Sequence, residues 1–370
     1  MNLILVRVLH IGSKLIESGG IEKYLMNLYK HIDRNQIQFD FVILNEGDNQ
    51  YYEDEVEEFG GEVYSIPIDK QPFLKCCAEK IRIFKKYKKY GVVHIHTTCG
   101  TRAVDGVLAK LCGIKHVVYH SHSNIGKPPL KYIVLRPIFW LTGKKYFACS
   151  TEAGRFFFGE RIINSKKFSV AKNGIDESQF IFSVIDRENV RKEFGICDCH
   201  VIGFVGRLSP EKNIEMILSI ANNIANNDKK LRLLIVGDGV EKDKINSKIQ
   251  ELGISDIVIM AGARSDINRI MSAMDVLLLP SLFEALGLVL IEAQASGLRC
   301  LTSDVTSRES CVSPLISYVA ISKGVEAWAD IIEKEKFDYS REDMSKSVIE
   351  NGYSIKNTAK EMQDYYLSLT

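Results

Sequence analysis

Nine cysteines in 370 residues include no Cys-x-x-Cys pair; Cys76 and Cys77 are adjacent, and one residue separates Cys197 from Cys199. That spacing argues against a zinc site and against the disulfide framework of a small secreted domain. Gly-x-Gly-x-x-Gly is also missing after the first predicted strand, where Gly12–Gly20 reads G-S-K-L-I-E-S-G-G. A dinucleotide-dependent dehydrogenase would carry that fingerprint to bring backbone against a pyrophosphate. No apolar run is long enough to span a bilayer, and the chain opens on a strand, L-I-L-V-R-V-L-H-I, where a signal peptide would show a charged region and an apolar core. These absences predict a cytosolic protein. What is present is 46% hydrophobic and 26% charged, the composition of a globular chain, long enough for two domains with separate cores.

The net charge of +1 conceals an asymmetry. Residues 1–172 hold 26 Lys and Arg against 17 Asp and Glu, and residues 173–370 hold 22 against 30, so +9 and −8 sum to +1. Gly106–Thr151 has seven basic residues and no acid, and within it P-L-K-Y-I-V-L-R-P-I-F-W-L-T-G-K-K-Y interleaves cations with large apolar and aromatic side chains. Rings at headgroup level and cations on lipid phosphates suit an anionic membrane surface. A near-neutral chain without a base-reading motif predicts no nucleic-acid partner. The expected location is therefore cytoplasmic, with peripheral contact at the inner face of the cell membrane.

Short apolar strands alternate with amphipathic helices. Strands are predicted at Leu3–His10, Phe39–Leu44, Val63–Ile66, Val92–Ile95, His116–Tyr119 and Tyr146–Cys149. A second series runs Val201–Val205, Leu231–Val236, Ile257–Met260, Val276–Leu279 and Cys300–Thr302. Alternation of this kind implies parallel sheets with helices on both faces. Two series imply two doubly wound α/β domains, 1–172 and 173–352, with a crossover near the turn Asn173–Asp176 and a last helix, Thr358–Leu369 within 353–370, returning to the first domain.

Glu284 follows the strand Val276–Leu279, and Glu292 lies inside the apolar-periodic helix after it. Acids are exceptions in so apolar a stretch, and two carboxylates at the carboxyl rim of a parallel sheet can accept hydrogen bonds from sugar or ribose hydroxyls. After the strand ending at Val205, V-G-R-L-S-P-E-K-N places Arg207 and Lys212 in one loop, both able to neutralise phosphate oxygens. Gly19 and Gly20 precede a helix predicted at Ile21–Tyr29, where backbone N–H groups can approach a phosphate. His120 and His122 end the strand His116–Tyr119, while His94 and His96 on the preceding strand read as structural.

These motifs together resemble the retaining glycosyltransferases of the family-4, or glycosyl transferases group 1, type found among bacterial capsular and exopolysaccharide enzymes. The resemblance rests on G-G-I-E at 19, H-S-H at 120, N-G-I-D at 173, V-G-R with Lys212, V-G-D-G at 236, and F-E-A-L-G-L-V-L-I-E-A-Q-A-S-G at 283. It implies a GT-B fold, with two Rossmann-like domains facing across a cleft, the first binding acceptor and the second a nucleotide sugar. It further implies that Glu284 lies against the donor sugar, that Glu292 bonds the ribose, and that Arg207 and Lys212 hold the diphosphate together with Gly19, Gly20 and Gly206. Helix amides near Leu286, Gly287 and Leu288 add to that grip, while Gly262 and Arg264 meet the base. His122 would face the reacting sugar with His120 behind it, and Lys127 and Lys131 would lie on the acceptor side. Two positions depart from the family pattern: Ala285 where Gly is usual, and Arg299 where Pro often follows S-G-L.

No Asp-x-Asp occurs, which disfavours a metal-held diphosphate; no cofactor is expected beyond a nucleoside diphosphate sugar as co-substrate, UDP-sugar favoured, and no metal. Resemblance implies retention of anomeric configuration by same-face attack. A hexose would pass to a glycan or lipid-linked oligosaccharide in surface polysaccharide biosynthesis. The competing readings are a nucleotide-sugar epimerase of the same architecture and a catalytically idle partner subunit.

Overall fold

The computed structural model describes every residue except 1–4, 13–19, 46–51, 69, 89–90, 98–99, 101, 123–127, 285, 335–339 and 370. The chain divides into two compact units, Met1–Gly174 with Ile355–Thr370, and Ile175–Ser354. Both crossings fall two residues beyond the positions expected from the sequence. Where the chain enters and leaves the second unit the two segments pair, Ile175 N donating to Tyr353 O at 2.7 Å.

Among the described residues the first unit holds seven strands: β1 Val6–Ile11, β2 Ile37–Asn45, β3 Val63–Pro67, β4 Val92–Thr97, β5 His116–Ser121, β6 Lys145–Ala148 and β7 Phe168–Val170. Their order is β3-β2-β1-β4-β5-β6-β7, and every pairing is parallel. The second holds β8 His200–Val205, β9 Leu231–Val236, β10 Val258–Gly262, β11 Val276–Leu279, β12 Arg299–Ser303 and β13 Ile316–Val319. They lie in the order β10-β9-β8-β11-β12-β13, again all parallel. Strand order thus reverses between β1 and β4 and between β8 and β11. Loops leaving the carboxyl ends of strands diverge at such a switch point and leave a crevice. β7 and β13 are absent from the strands expected above. Each is a three- or four-residue edge strand, too short to show a period.

Alternation along the strands sorts side chains onto two faces. In the first sheet Leu9, Ile11, Val93, Ile95, Val117 and Tyr119 join one core cluster. Val6, Val8, Phe39, Phe41, Val92 and Val118 join the other, beneath the helices Gly20–His31 and Ile355–Leu367. The last helix starts at Ile355 rather than Thr358, and it presents Ile355, Ala359, Met362 and Tyr366 to this core at helical spacing. The core of the second unit is one continuous apolar cluster around β8, β9 and β11.

Charges buried at the amino end of β11 are paired. Asp275 accepts from Arg187 at 2.6 Å, from Arg191 at 2.8 Å and from the Val201 amide at 2.7 Å. Both guanidinium groups come from the helix Val184–Glu193, so one carboxylate fixes that helix to two strands.

Candidate active site

Two loops meet at the β8/β11 switch point, and sequence explains the course of each. After β8 the chain turns through Gly206 and Arg207 to a 3₁₀ turn, Pro210–Lys212, with Pro at its start where no amide hydrogen is needed. Asn213 then takes φ 54°, the left-handed conformation its short polar side chain tolerates, and opens the helix Ile214–Ala225. Backbone bonds from Gly206 N to Val236 O (3.0 Å) and from Leu208 N to Asp238 O (2.9 Å) fix this loop on the end of β9. A Cβ at Gly237 would lie 1.9 Å from the Gly206 carbonyl oxygen, so only glycine permits that approach.

After β11 the chain runs through Pro280 and Ser281 to Glu284. Thr302 Oγ1 donates to Leu279 O at 2.9 Å and Ser303 Oγ to Ser281 O at 2.6 Å, so β12 supports the turn from beneath. Leu282 N donates to Glu211 O at 2.8 Å, and Asn213 Nδ2 to Pro280 O at 3.2 Å. These two bonds join the loops directly. Their consequence is an ion pair between Lys212 Nζ and Glu284 Oε2 at 2.5 Å, with side-chain exposures of 18% and 13%. Ser281 Oγ donates to the same carboxylate oxygen at 3.4 Å. Gly287 follows at φ 69° and starts the helix Leu288–Ala295, in whose interior Glu292 is buried. Arg207 is exposed and makes no ion pair with another described residue. The loops therefore present one open guanidinium, one ammonium held by a carboxylate, and a helix amino end. That set can take up a polyanion and a hydroxyl-bearing group together.

A row of histidines occupies the first unit. His10 on β1, His94 and His96 on β4, and His120 on β5 share strand parity with Val8, Val92 and Val118, so their rings lie on one face, with His122 next beyond β5. His10 Nδ1 and His96 Nε2 share a hydrogen bond at 2.9 Å, and His96 Nδ1 and His122 Nε2 share another at 2.8 Å. His94 Nδ1 lies 2.5 Å from Tyr366 Oη of the C-terminal helix. His120 stacks on His122 with centroids 4.0 Å apart, and Tyr24 packs against both rings. Burial pushes His10 down to about 3 and holds His94, His96 and His120 well below the ordinary imidazole range. Burial likewise takes His122 down to about 3, opposed in part by the Asn173 side chain. All five rings are neutral at physiological pH.

The sequence pattern of the family Glycosyl transferases group 1 matches residues 168–354, and that of Glycosyltransferase Family 4 matches residues 18–179. The chain is 30% identical over 337 residues to EpsF of Bacillus subtilis (strain 168), a protein assigned as a glycosyltransferase, covering 89% of this chain and 87% of EpsF. This protein belongs to the glycosyl transferases group 1 family. It is also 24% identical to the Escherichia coli UDP-Gal:alpha-D-GlcNAc-diphosphoundecaprenol alpha-1,3-galactosyltransferase, over 98% of this chain and 97% of that one. Among solved structures, Anabaena HepE in complex with UDP and glucose superposes with a TM-score of 0.79 at 18% identity, covering 98% and 99% of the two chains. The fold is GT-B.

Against that fold, the glycosyltransferase brings Gly206, Arg207, Lys212, Glu284, Leu286, Gly287, Leu288 and Glu292 onto the two loops at one switch point and the helix that follows them. Gly262 ends β10, two strands from β8, and accepts a bond from Gly237 N at 2.8 Å. Arg264 is fully engaged: its guanidinium bonds Asp266 at 2.8 and 2.9 Å and Glu193 at 2.7 Å, and these acids raise its pKa further. Gly20 is the first residue of the helix Gly20–His31 in the other unit, where His120, His122 and the exposed Lys131 also lie. Gly19, Lys127 and Ala285 lie outside the described residues. His10 was not among the expected site residues, and neither were the loop-joining groups Ser281, Glu211 and Asn213. Only the strand order places them.

Proposed function

We propose that this glycosyltransferase moves a hexose, with retention and without a metal on the diphosphate, from a UDP-sugar to a glycan or lipid-linked acceptor in capsular or exopolysaccharide biosynthesis. The observation that carries this reading is the Lys212–Glu284 pair beside the open Arg207 at the β8/β11 switch point. In it Arg207 and Lys212 hold the diphosphate and stabilise the charge that grows on the leaving group, Arg bidentately and Lys as a point charge. Gly206 and the amides near Leu286–Leu288 lie beside the same phosphates. Glu284 orients sugar hydroxyls, Glu292 the ribose, and the β10 end at Gly262 and Arg264 borders the base. The first unit takes the acceptor, with His122 its candidate group for the chemistry and His120 and Lys131 in the same unit. UDP is favoured because HepE was crystallised with UDP and the E. coli relative is named for UDP-Gal. The diphosphoundecaprenol in that same name supports a lipid-linked acceptor.

A thermal-shift panel of UDP-, GDP- and ADP-sugars tests the donor, since a ligand at about 100 times its Kd stabilises the native state by about 2.7 kcal/mol. UDP-sugars alone should raise the melting point, and the anomeric coupling of the product, read by NMR, should match the donor's. Product formed without acceptor would identify an epimerase instead.

Peripheral membrane contact is part of the proposal, and the helix Leu130–Thr142 supports it. Leu130, Ile133, Val134 and Leu141 are exposed at i, i+3, i+4 and i+11, one outward face, beside the cations Lys131 and Lys144. No helix among the described residues is long and apolar enough to cross a membrane. Val134→Asp with Leu141→Asp should cut co-flotation with anionic liposomes by roughly ten-fold and leave the melting point unchanged, because both side chains already face water. Undiminished flotation would remove this helix as the contact.

A further inference from the structure

We infer that His96, His120 and His122 form a binding site for a divalent first-row metal ion, zinc by preference, in the first unit of the protein. One ligand nitrogen from each of these residues lies within 4.8 Å of the other two, and His10, His94 and His96 form a second such group behind them. Three neutral imidazoles converging in a covered place are the donor set of zinc, copper and nickel, while magnesium and calcium prefer oxygen.

The hydrogen bonds leave part of the cluster unsatisfied. His10, His96 and His122 form a chain of two shared contacts, whose end atoms, His10 Nε2 and His122 Nδ1, have no hydrogen-bond partner among the described residues. His120 has no place in that chain. It is 0% exposed, and neither Nδ1 nor Nε2 has a hydrogen-bond partner among the described residues. A neutral imidazole carries one N–H and one bare nitrogen, so His120 buries an unpaired donor and an unpaired acceptor whichever tautomer it adopts. Nothing apolar about the position demands a histidine; the adjoining residues of the same face, Val92 and Val118, are valines. A metal ion gives His120 a partner for one nitrogen and gives the pattern H-x-H on β4 and H-x-H at the end of β5 a common purpose.

The geometry is within reach of small ring movements. Imidazole nitrogens held at about 2.0–2.1 Å from a tetrahedral zinc are about 3.4 Å apart. That separation lies between the 2.8 Å of the His96–His122 contact and the 4.8 Å limit of the group. An outer partner is in place for His96, whose Nε2 meets His10 Nδ1 at 2.9 Å, so His96 can keep its second nitrogen bonded while the first binds metal. Three protein ligands leave a fourth position for water or a substrate oxygen. None of these residues belongs to the donor loops, so failure of the donor assignment leaves the site standing, and the reverse.

The test uses the full chain with any affinity tag removed and with Cys197→Ser, Cys199→Ser and Cys311→Ser, which removes the exposed and half-buried thiols of the second unit. After incubation with zinc chloride and gel filtration, plasma mass spectrometry should find about one zinc per chain, falling below about 0.1 in His120→Ala. Cobalt(II) bound to the parent should show the visible absorption of a tetrahedral nitrogen site, without thiolate charge-transfer bands; this needs no histidine variant and so covers the case in which His120→Ala does not fold. Zinc below about 0.1 per chain in the parent overturns the site and leaves the rings as a hydrogen-bonded stack. Full occupancy that survives both His120→Ala and His96→Ala overturns it as well.

Discussion

Glu284→Gln should lower kcat/KM for sugar transfer by about 10²–10³-fold, the loss of roughly 2.7–4 kcal/mol seen when one positioned electrostatic group is removed. The side chain keeps its size and hydrogen-bonding oxygen but loses the charge that faces Lys212 at 2.5 Å. Two effects then compound. Sugar hydroxyls lose an acceptor that was strong because it was ionised, and the Lys212 ammonium, no longer oriented, drifts from the position in which it meets a phosphate. The fold should be untouched, because the loop is held by Leu282 N on Glu211 O and by Thr302 and Ser303 beneath it, bonds in which the carboxylate takes no part. Lys212→Met should cost a similar factor. The double variant should cost about as much as either alone, since residues acting as a unit are not additive. Steady-state kinetics on the three variants with saturating acceptor decides this; wild-type turnover by Glu284→Gln removes the acid from the reaction. Strict additivity separates it from Lys212.

Lys212 and Glu284 were legible in the sequence because each follows a short apolar strand, and an acid or a cation there stands out against its surroundings. How they meet was not legible. It depends on β8 and β11 being neighbours, with β9 and β10 to one side and β12 and β13 to the other. Alternation of strand and helix predicts a parallel sheet without giving its order. The same limit hid His10. A single histidine in V-R-V-L-H-I reads as a core position, and only the placement of β1 beside β4 sets it against His94 and His96. Arg264 shows the opposite case. The resemblance sets it against the base, and nothing in its sequence position shows that Glu193 arrives from the end of a distant helix and Asp266 from the next turn to bond it. Long-range ion pairs leave no periodic trace in a sequence. The short edge strands β7 and β13 were missed for want of length, and the extra turn of the last helix because Ile355 and its neighbours continue a pattern whose start is set by where the chain leaves the second unit.

The opposite end of β11 should behave in the opposite way. Asp275→Ala is expected to destabilise the second unit by about 3–5 kcal/mol, the usual cost of removing one partner from a buried charge cluster. Arg191, only 6% exposed, would keep its positive charge with no carboxylate beside it, and the Val201 amide would lose its acceptor. Arg191 still reaches the carbonyls of Ala273, Cys197 and Cys199, so the helix should stay in place while the melting transition falls. Asp275→Asn is the informative companion. It restores an acceptor for Val201 but no charge for Arg187 and Arg191, and should recover less than half of the loss. Neither change touches the carboxyl end of the strand, where Lys212 and Glu284 meet, so turnover by the folded fraction at low temperature should remain near wild type. Denaturant titration with transfer assays at 10 °C checks both parts. A lowered kcat in folded Asp275→Ala would mean that strain at the amino end of β11 reaches the loop after it. An unchanged melting point would mean that water or the backbone carbonyls already neutralise Arg191. Stability at one end of a strand and chemistry at the other is what an open parallel sheet allows, because its loops diverge only where the strands end.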